Sequence, residues 1–257
     1  MWTALLLAGQ RPGVDALAVA FGQTRKALVR VGGEPMLSRV ARTLLDCPDV
    51  TRVVVLAQDW EGLIADPGCA WLVAAPRVTF AASGGGIATS VAAVAGGDEA
   101  PWPLLVTTAD HPLLTPAMVA AFLAGAGDAD IAAAVVERRV VLGAYPANRR
   151  TWLKFRGGWW SGANLFALAG PRTLPALALW ARLEQDRKSG WRLIWRLGPS
   201  LLLGGGLRLL TLAGAARRFG AKLGVVARAV PLPDAEAAID VDKPSDHALA
   251  ERILAAR

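Results

Sequence analysis

Short apolar runs, each stopped by glycine, proline or aspartate and each followed by a stretch of helical character, constrain this chain most. Trp2–Ala8, Arg52–Ala57, Pro103–Ala109 and Ile131–Val136 have strand length, and Val53-Val54-Val55-Leu56 offers no polar face at all. A strand of that kind must be covered on both sides, as in a parallel sheet. Between these runs, Pro35 opens a helix over Met36–Leu45, with Met36, Leu37, Val40 and Leu44 at helical spacing. Helices are also expected over Ile87–Ala95, Pro116–Leu123, Pro171–Leu183 and Pro244–Ala256. Further extended segments are expected near Trp71–Ala74 and over Val140–Tyr145, Asn164–Leu168 and Val225–Pro231. The alternation predicts an α/β fold with a mostly parallel, doubly covered sheet, within one domain spanning 1–257.

In such sheets ligands bind beyond the carboxyl ends of the strands. Ala8, Gly9, Gln10 and Arg11 follow the first strand, and with Gly13 they can wrap a polyphosphate with backbone N–H groups, Arg11 adding charge. A plain strand-to-helix connection is the competing reading. Lys26 can neutralise phosphate or simply face solvent. Asp110 ends the run Val106-Thr107-Thr108-Ala109 just before His111-Pro112, a rigid position from which a carboxylate can hold Mg²⁺, or else cap a turn. His111 is expected to shape that turn rather than act as a base. Asp240 and Asp242 flank Val241, so an extended backbone points both to one side, suiting a metal that bridges phosphates or a cap for the helix opened by Pro244.

Two further stretches are candidates for ligand contact. Gly84-Gly85-Gly86 with Thr89 and Ser90 either lets a base or ribose approach the backbone or forms an ordinary glycine turn. Gly157–Asn164 sets small residues around Trp159 and Trp160, which suits the wall and floor of a pocket for an acceptor, Trp160 packing and Asn164 hydrogen-bonding.

Charge is unevenly spread. From Arg149 to Arg228 there are 15 Lys/Arg against only Glu184 and Asp186, whereas the rest carries 13 basic and 19 acidic residues. Six of the ten tryptophans fall in the same stretch, which is expected to form a basic, Trp-rich helical insertion over 149–223. Its Trp191–Leu197 and Leu201–Leu210 portions mix arginine with large apolar groups, fitting an anionic membrane surface met through 187–223. A helical subdomain or a homodimer interface fits as well. Aliphatic side chains outnumber stacking partners, so nucleic acid is not the expected partner. No run reaches the roughly 18 apolar residues of a membrane span, and the N-terminal run lacks the marks of a secretory leader. The expected location is therefore cytoplasmic, peripheral at the inner face of the membrane. Cys47 and Cys69 lie far apart and are expected to be reduced, structural thiols.

Taken in order, Leu-Ala-Gly-x-Arg (7–11), Lys-Ala-Leu-Val (26–29), Gly-Gly-Glu-Pro-Met-Leu (32–37), Thr-Ala-Asp-His-Pro-Leu-Leu (108–114) and Ile-Asp-Val-Asp-Lys-Pro-Ser-Asp (239–246) make the chain similar to a known family. It resembles nucleotidyltransferases of the molybdenum-cofactor guanylyltransferase-like superfamily. The likeness covers most of 1–147 and 224–257. It implies a glycosyltransferase-A type fold: a Rossmann-like three-layer α/β/α sandwich around a mostly parallel, mixed sheet. It also implies a phosphate-binding loop containing Gly9 and Arg11 and closed by Lys26, a Mg²⁺ aspartate at Asp110, and further metal contacts from Asp240 and Asp242. Gly84 to Ser90 takes the place of the base- and ribose-contacting segment, and Asn164 that of an acceptor-contacting residue. The implied reaction moves a nucleoside monophosphate from a nucleoside triphosphate, CTP before GTP, to a small phosphorylated acceptor. With the membrane reading of 187–223, the acceptor would be a head group activated for lipid or glycan assembly. Two departures stand out: Val14–Gln23 reads as an insertion in the signature loop, and Ala27 replaces a proline. A loop altered in this way leaves a rival reading, a non-catalytic nucleotide-binding sensor or membrane-associated scaffold.

Overall fold

The computed structural model describes residues 1–10, 13–185 and 210–257. Its centre is β1 (Trp2–Leu7), paired in parallel with β4 (Val50–Ala57) on one side and β6 (Leu104–Thr108) on the other. β5 (Val78–Ala82) extends the sheet beyond β4. On the other flank the long β9 (Gly158–Leu168) runs antiparallel between β6 and β7 (Ile131–Glu137), and β10 (Ala227–Pro231) joins β7 in parallel. The order is β10-β7-β9-β6-β1-β4-β5, with the short β8 (Leu153–Phe155) forming a hairpin on β9. The mostly parallel, mixed sheet of an α/β fold is thus present.

Period-two alternation divides the sheet between two cores. Ala4, Leu6, Val53, Val55 and Leu105 face one layer, with α2 (Met36–Leu45) and α6 (Pro116–Ala126). Leu5, Val54, Leu56, Leu104 and Val106 face the other, with α5 (Ile87–Val94) and α8 (Leu174–Gln185). Thr115 caps α6 by accepting from the Met118 N–H, with Pro116 at the first helical position. Cys47 and Cys69 are free and buried within the first layer, and burial pushes their thiols up to about 11 and about 12.

Several local expectations need correction. Trp71–Ala74 is a short helix, α4, because bonds from Cys69 and Ala70 back to the Asp66 carbonyl set a helical turn just before it. The strand in this region is β5, which lies after Pro76. Val140–Tyr145 is not extended: α7 (Arg138–Ala144) starts directly after β7 and buries only Val141, so β-branched composition loses to tertiary placement. The helical character expected for 149–223 does not reach its start, since β8 and β9 occupy 153–168 and β9 belongs to the main sheet. Helix there is confined to a 3-10 turn (Pro171–Thr173) leading into α8 and to α9 (Leu212–Leu223) among the described residues. The apolar and arginine-rich portion at 186–209, and Arg11, lie outside the described residues.

Tyr145, the single tyrosine, ends α7 and donates a 2.9 Å hydrogen bond to Glu236 Oε1, while the other carboxylate oxygen, Oε2, pairs with Arg257. Burial, reinforced by the Glu236 carboxylate, pushes its pKa up to about 12. The folded state therefore keeps a proton that the unfolded chain releases from about pH 10. This contribution to stability is intact below about pH 10 and is lost as the pH rises towards 12. Ultraviolet titration of tyrosinate should give a midpoint near 12 in native protein and near 10 in denaturant; equal midpoints would refute the assignment.

Candidate active site

All strands of the main sheet except β9 run in one direction, so the carboxyl ends of β1, β4, β5, β6 and β7 open on a common edge. An apolar cluster gathers the motif-bearing loops there. Leu17, Val29, Val31, Met36 and Leu113 pack with Ile239, Val241, Ala250 and Ile253, the last two from α10 (Pro244–Ala255). The Val241 N–H donates to the Asp110 carbonyl at 2.9 Å, laying the Asp-x-Asp segment alongside the end of β6.

Lys26 lies where these segments meet. Its Nζ donates to Asp110 Oδ2 at 2.6 Å and to Asp242 Oδ1 at 2.5 Å. The Lys26 and Asp110 side chains are 19% and 22% exposed and Asp242 is 63% exposed, so the triad is rooted in the protein and opens to solvent through Asp242. Burial pulls the Lys26 pKa down, but the two carboxylates outweigh it and leave it above the ordinary lysine value. Thr108 adds a hydrogen bond from its hydroxyl to Asp110 Oδ1, fixing that carboxylate through its second oxygen.

Asp240 belongs to a different set of contacts. Its Oδ1 pairs with Arg150 Nη1 at 2.8 Å and its Oδ2 accepts from Asn164 Nδ2 at 3.2 Å. Arg150 Nε also donates to the Ser161 hydroxyl at 3.1 Å. Asn164 reaches Asp240 from an irregularity in β9: the register with β7 shifts between Ala133 and Val135, and Asn164 adopts φ +49. Asparagine tolerates this left-handed conformation better than other residues with a Cβ, and a bulge re-aims the side chain it carries. The two aspartates of the Asp-x-Asp element thus do different things, Asp242 sharing the lysine with Asp110 and Asp240 being held by an arginine and an amide.

The loop after β1 is built by close packing. A Cβ on Gly9 would come within 3.0 Å of Ser83 Oγ and 3.1 Å of the Gln58 amide. The Gln10 N–H donates to Gln58 Oε1 at 3.0 Å, and its side chain bridges the loop by accepting from the Lys26 N–H and donating to the Gly13 carbonyl. Ala8 is held by a bond from its N–H to the Leu56 carbonyl. Gln10 therefore organises the loop around Lys26 with the groups that a phosphate was expected to use. At the glycine loop, buried Ser90 accepts from the Gly84 N–H and donates to the Gly86 carbonyl, which makes it a brace for the turn. Gly84, Gly85 and Thr89 are exposed on the same edge. Trp160 sits opposite Glu137 and Leu153 and makes no hydrogen bond to the carboxylates among the described residues.

His111 is fully buried, and neither ring nitrogen has a partner in hydrogen-bond geometry among the described residues, although the Glu236 backbone lies near. Burial holds its pKa below the usual histidine value, in keeping with a role in shaping the turn. Thr108, Gln58 and Arg150 were not legible as site residues. Thr108 had a weak signal in its place two residues before Asp110; Gln58 and Arg150 had none.

The family model described as "MobA-like NTP transferase domain" matches residues 5–198. No curated protein matches the sequence significantly. Among solved structures, a hypothetical transferase from Thermus thermophilus is 31% identical, with TM-score 0.78, covering 96% of this chain and 99% of that one. A 4-diphosphocytidyl-2C-methyl-D-erythritol synthase from Anaerococcus prevotii is 9% identical, with TM-score 0.62 and coverage of 99% and 96%. A CMP:2-keto-3-deoxy-manno-octonic acid synthetase solved with CTP is 15% identical, with TM-score 0.59 and coverage of 100% and 99%. The last two likenesses are of fold.

The bulge predicts an order of tolerance at residue 164. Asn164→Gly should leave stability within about 1 kcal/mol, since glycine adopts φ +49 freely and Arg150 still pairs with Asp240. Asn164→Val should cost about 1–3 kcal/mol, a β-branched residue being strained there. Urea unfolding measures both, and equal midpoints for the two variants would contradict the left-handed assignment.

Proposed function

The chain belongs to the MobA-like NTP transferase family and is a nucleotidyltransferase; from this we propose that it moves a nucleoside monophosphate from CTP, or secondarily GTP, to a small phosphorylated acceptor. The observation that carries the reading is Lys26 Nζ lying between Asp110 and Asp242 on the ligand edge of the sheet. An ammonium group held by two carboxylates marks a place where cations and anions are meant to exchange partners. The preference for CTP rests on the Asp-x-Asp element and on the CTP-bound synthetase that shares this fold.

A divalent cation fits the donor set. Asp110 and Asp242 each present carboxylate oxygens to one cation, Lys26, and so lie close enough to share another. Mg²⁺ takes one or two carboxylates and completes its shell with water and substrate phosphates. Among the described residues no group of three or more His, Cys, Asp or Glu is placed to hold a metal, and both Asp240 oxygens are engaged, so water and phosphates would supply the remaining ligands. Bound by Asp110 and Asp242, Mg²⁺ would supply charge neutralisation on the triphosphate.

The chain's own residues then orient and stabilise. Asp110 is fixed by Thr108 and its backbone by Val241. Lys26, on its flexible stem, would stabilise charge on the triphosphate and on the leaving pyrophosphate, with Arg11 adding charge from the preceding loop. Gly9 lets the chain approach the triphosphate, and exposed Gly84, Gly85 and Thr89 face base and ribose. An acceptor phosphate oxygen bonds to the α-phosphorus, the bond from that phosphorus to the β-phosphate oxygen breaks, and no proton need be removed. Asn164 and Trp160, both carried by β9, would contact the acceptor. We assign the acceptor to head-group activation for lipid or glycan assembly, at the inner face of the membrane, with 187–223 as the contact. Among the described residues no helix is long and apolar enough to cross a membrane.

Pyrophosphate release with each of the four NTPs and a panel of phosphorylated acceptors tests the reaction. CTP should be fastest and chelation of Mg²⁺ should stop turnover. Asp110→Ala should lower turnover at least ~100-fold, about 3 kcal/mol in barrier, and Lys26→Met should act in the same direction. Near-normal turnover of the Asp110 variant would remove the metal assignment; absence of turnover with all four NTPs would favour the sensor reading.

A further inference from the structure

The ligand edge carries a second constellation that the reaction centre does not use. β7 ends at Glu137, Arg138 and Arg139 follow at once, and the β8–β9 hairpin turns beside them with Phe155 paired to Gly158. Together these line an open, shallow cavity of about 460 Å³ that includes Arg138, Arg139, Arg156 and Trp159. Trp159 holds two cations against its ring, Arg138 Cζ at 5.0 Å and Lys154 Nζ at 4.5 Å from the centroid. An indole so covered fixes charge beside the cavity rather than offering a free stacking face.

Arg156 also lines a second cavity, of about 420 Å³, with Thr211, Gly214, Arg217 and Arg218. Thr211 and Gly214 form the capped first turn of the twelve-residue α9, whose macrodipole adds positive potential. Among the described residues the one acidic residue lining either cavity is Glu137, and it is paired with Arg139 at 2.7 Å. Arg138, Arg156, Arg217 and Arg218 make no ion pair among the described residues. Four guanidinium groups around two adjoining cavities repel one another until an anion joins them, and their forked donors match phosphate oxygens in pairs.

The cavities lie close to the reaction centre. Ser161 accepts from the Arg150 that holds Asp240, and Trp159 is two residues away on the same strand, about 7 Å at the usual rise. We propose that this arginine-lined pair of cavities docks a second phosphate or diphosphate of the acceptor, remote from the phosphate that attacks, setting its class as a molecule with two anionic groups. The inference rests on the nucleotidyltransferase reading and adds to it the residues that select the acceptor. The same chemistry is offered by a free phosphomonoester and by a phosphate in a lipid head group.

Binding measured without nucleotide keeps the two readings separable. Glycerol 3-phosphate, followed by calorimetry at low salt, is the free probe, and phosphatidylcholine vesicles with or without phosphatidate are the lipid probe. The Arg138→Ala/Arg156→Ala variant, altered only at exposed residues, should bind the preferred probe at least about tenfold more weakly. Arg156→Lys should fall between, keeping charge without the fork. Lys26→Met should bind like wild type. Stronger loss for glycerol 3-phosphate assigns a free acceptor, and stronger loss for phosphatidate vesicles assigns a lipid head group. Wild-type protein that binds neither probe, or a double variant that binds both unchanged, overturns the proposal. Phosphate binding through these arginines in a protein that releases no pyrophosphate would instead count against the enzymatic reading alone.

Discussion

Burial of β1 from both sides is the constraint on which everything else hangs. Ala4, Leu5 and Leu6 are fully buried, and successive residues belong to different cores. Each leucine contributes about 1.5–3 kcal/mol of transfer free energy, and a one-residue slip would send every side chain to the wrong layer. That fixes the registers with β4 and β6, and with them the positions where the neighbouring chains leave the sheet. Gly9 and Asp110 come to the same edge because Leu7 is opposite Thr108 and Leu56.

Bringing acidic residues to one edge is costly unless cations accompany them. Two solutions operate side by side. Asp110 and Asp242 share a lysine that remains charged well beyond neutral pH, since the pair outweighs the effect of its burial. Asp240 has an arginine and an amide to itself. A lysine is a point charge on a flexible stem and can swing to a new partner, whereas an arginine that also binds Ser161 is tied at two points. Charge is thus exchangeable at Asp110 and Asp242 and fixed at Asp240, and on the proposed reading the first two would meet the metal while the third positions β9.

The sequence carried the parts of this arrangement that depend on local pattern. β1 and α2 are legible because their apolar residues have clear periods and clear stops, Gly9 after the one and Pro35 before the other. The meeting of Lys26 with Asp110 was implied by the resemblance alone, since no spacing in the chain relates those residues. Trp71–Ala74 is too short an apolar run to distinguish strand from helix. Residues 140–145 have strand composition yet fold as helix, because the chain turns off the sheet at Glu137. The contacts of Gln58 and Arg150 were invisible for a different reason. Both are made by side chains that reach across tertiary distances to groups in other motifs.

β9 links the two charged regions of the ligand edge. Among the described residues it is the one strand of the main sheet running against the rest, so its amino-terminal end reaches the edge where the parallel strands finish. Asn164 touches Asp240, Ser161 touches Arg150, and Trp159 fixes the cations of the arginine-lined cavity, all within six residues of one strand. A strand is stiff and has a fixed rise, so the spacing between the carboxylates and the arginines is set by backbone geometry rather than by loops. The bulge at Asn164 anchors that spacing at the carboxylate end. On the proposed reading, an acceptor is then measured by its length as well as its charge, because its anionic end and its reacting oxygen must each find a partner along the same rigid strand.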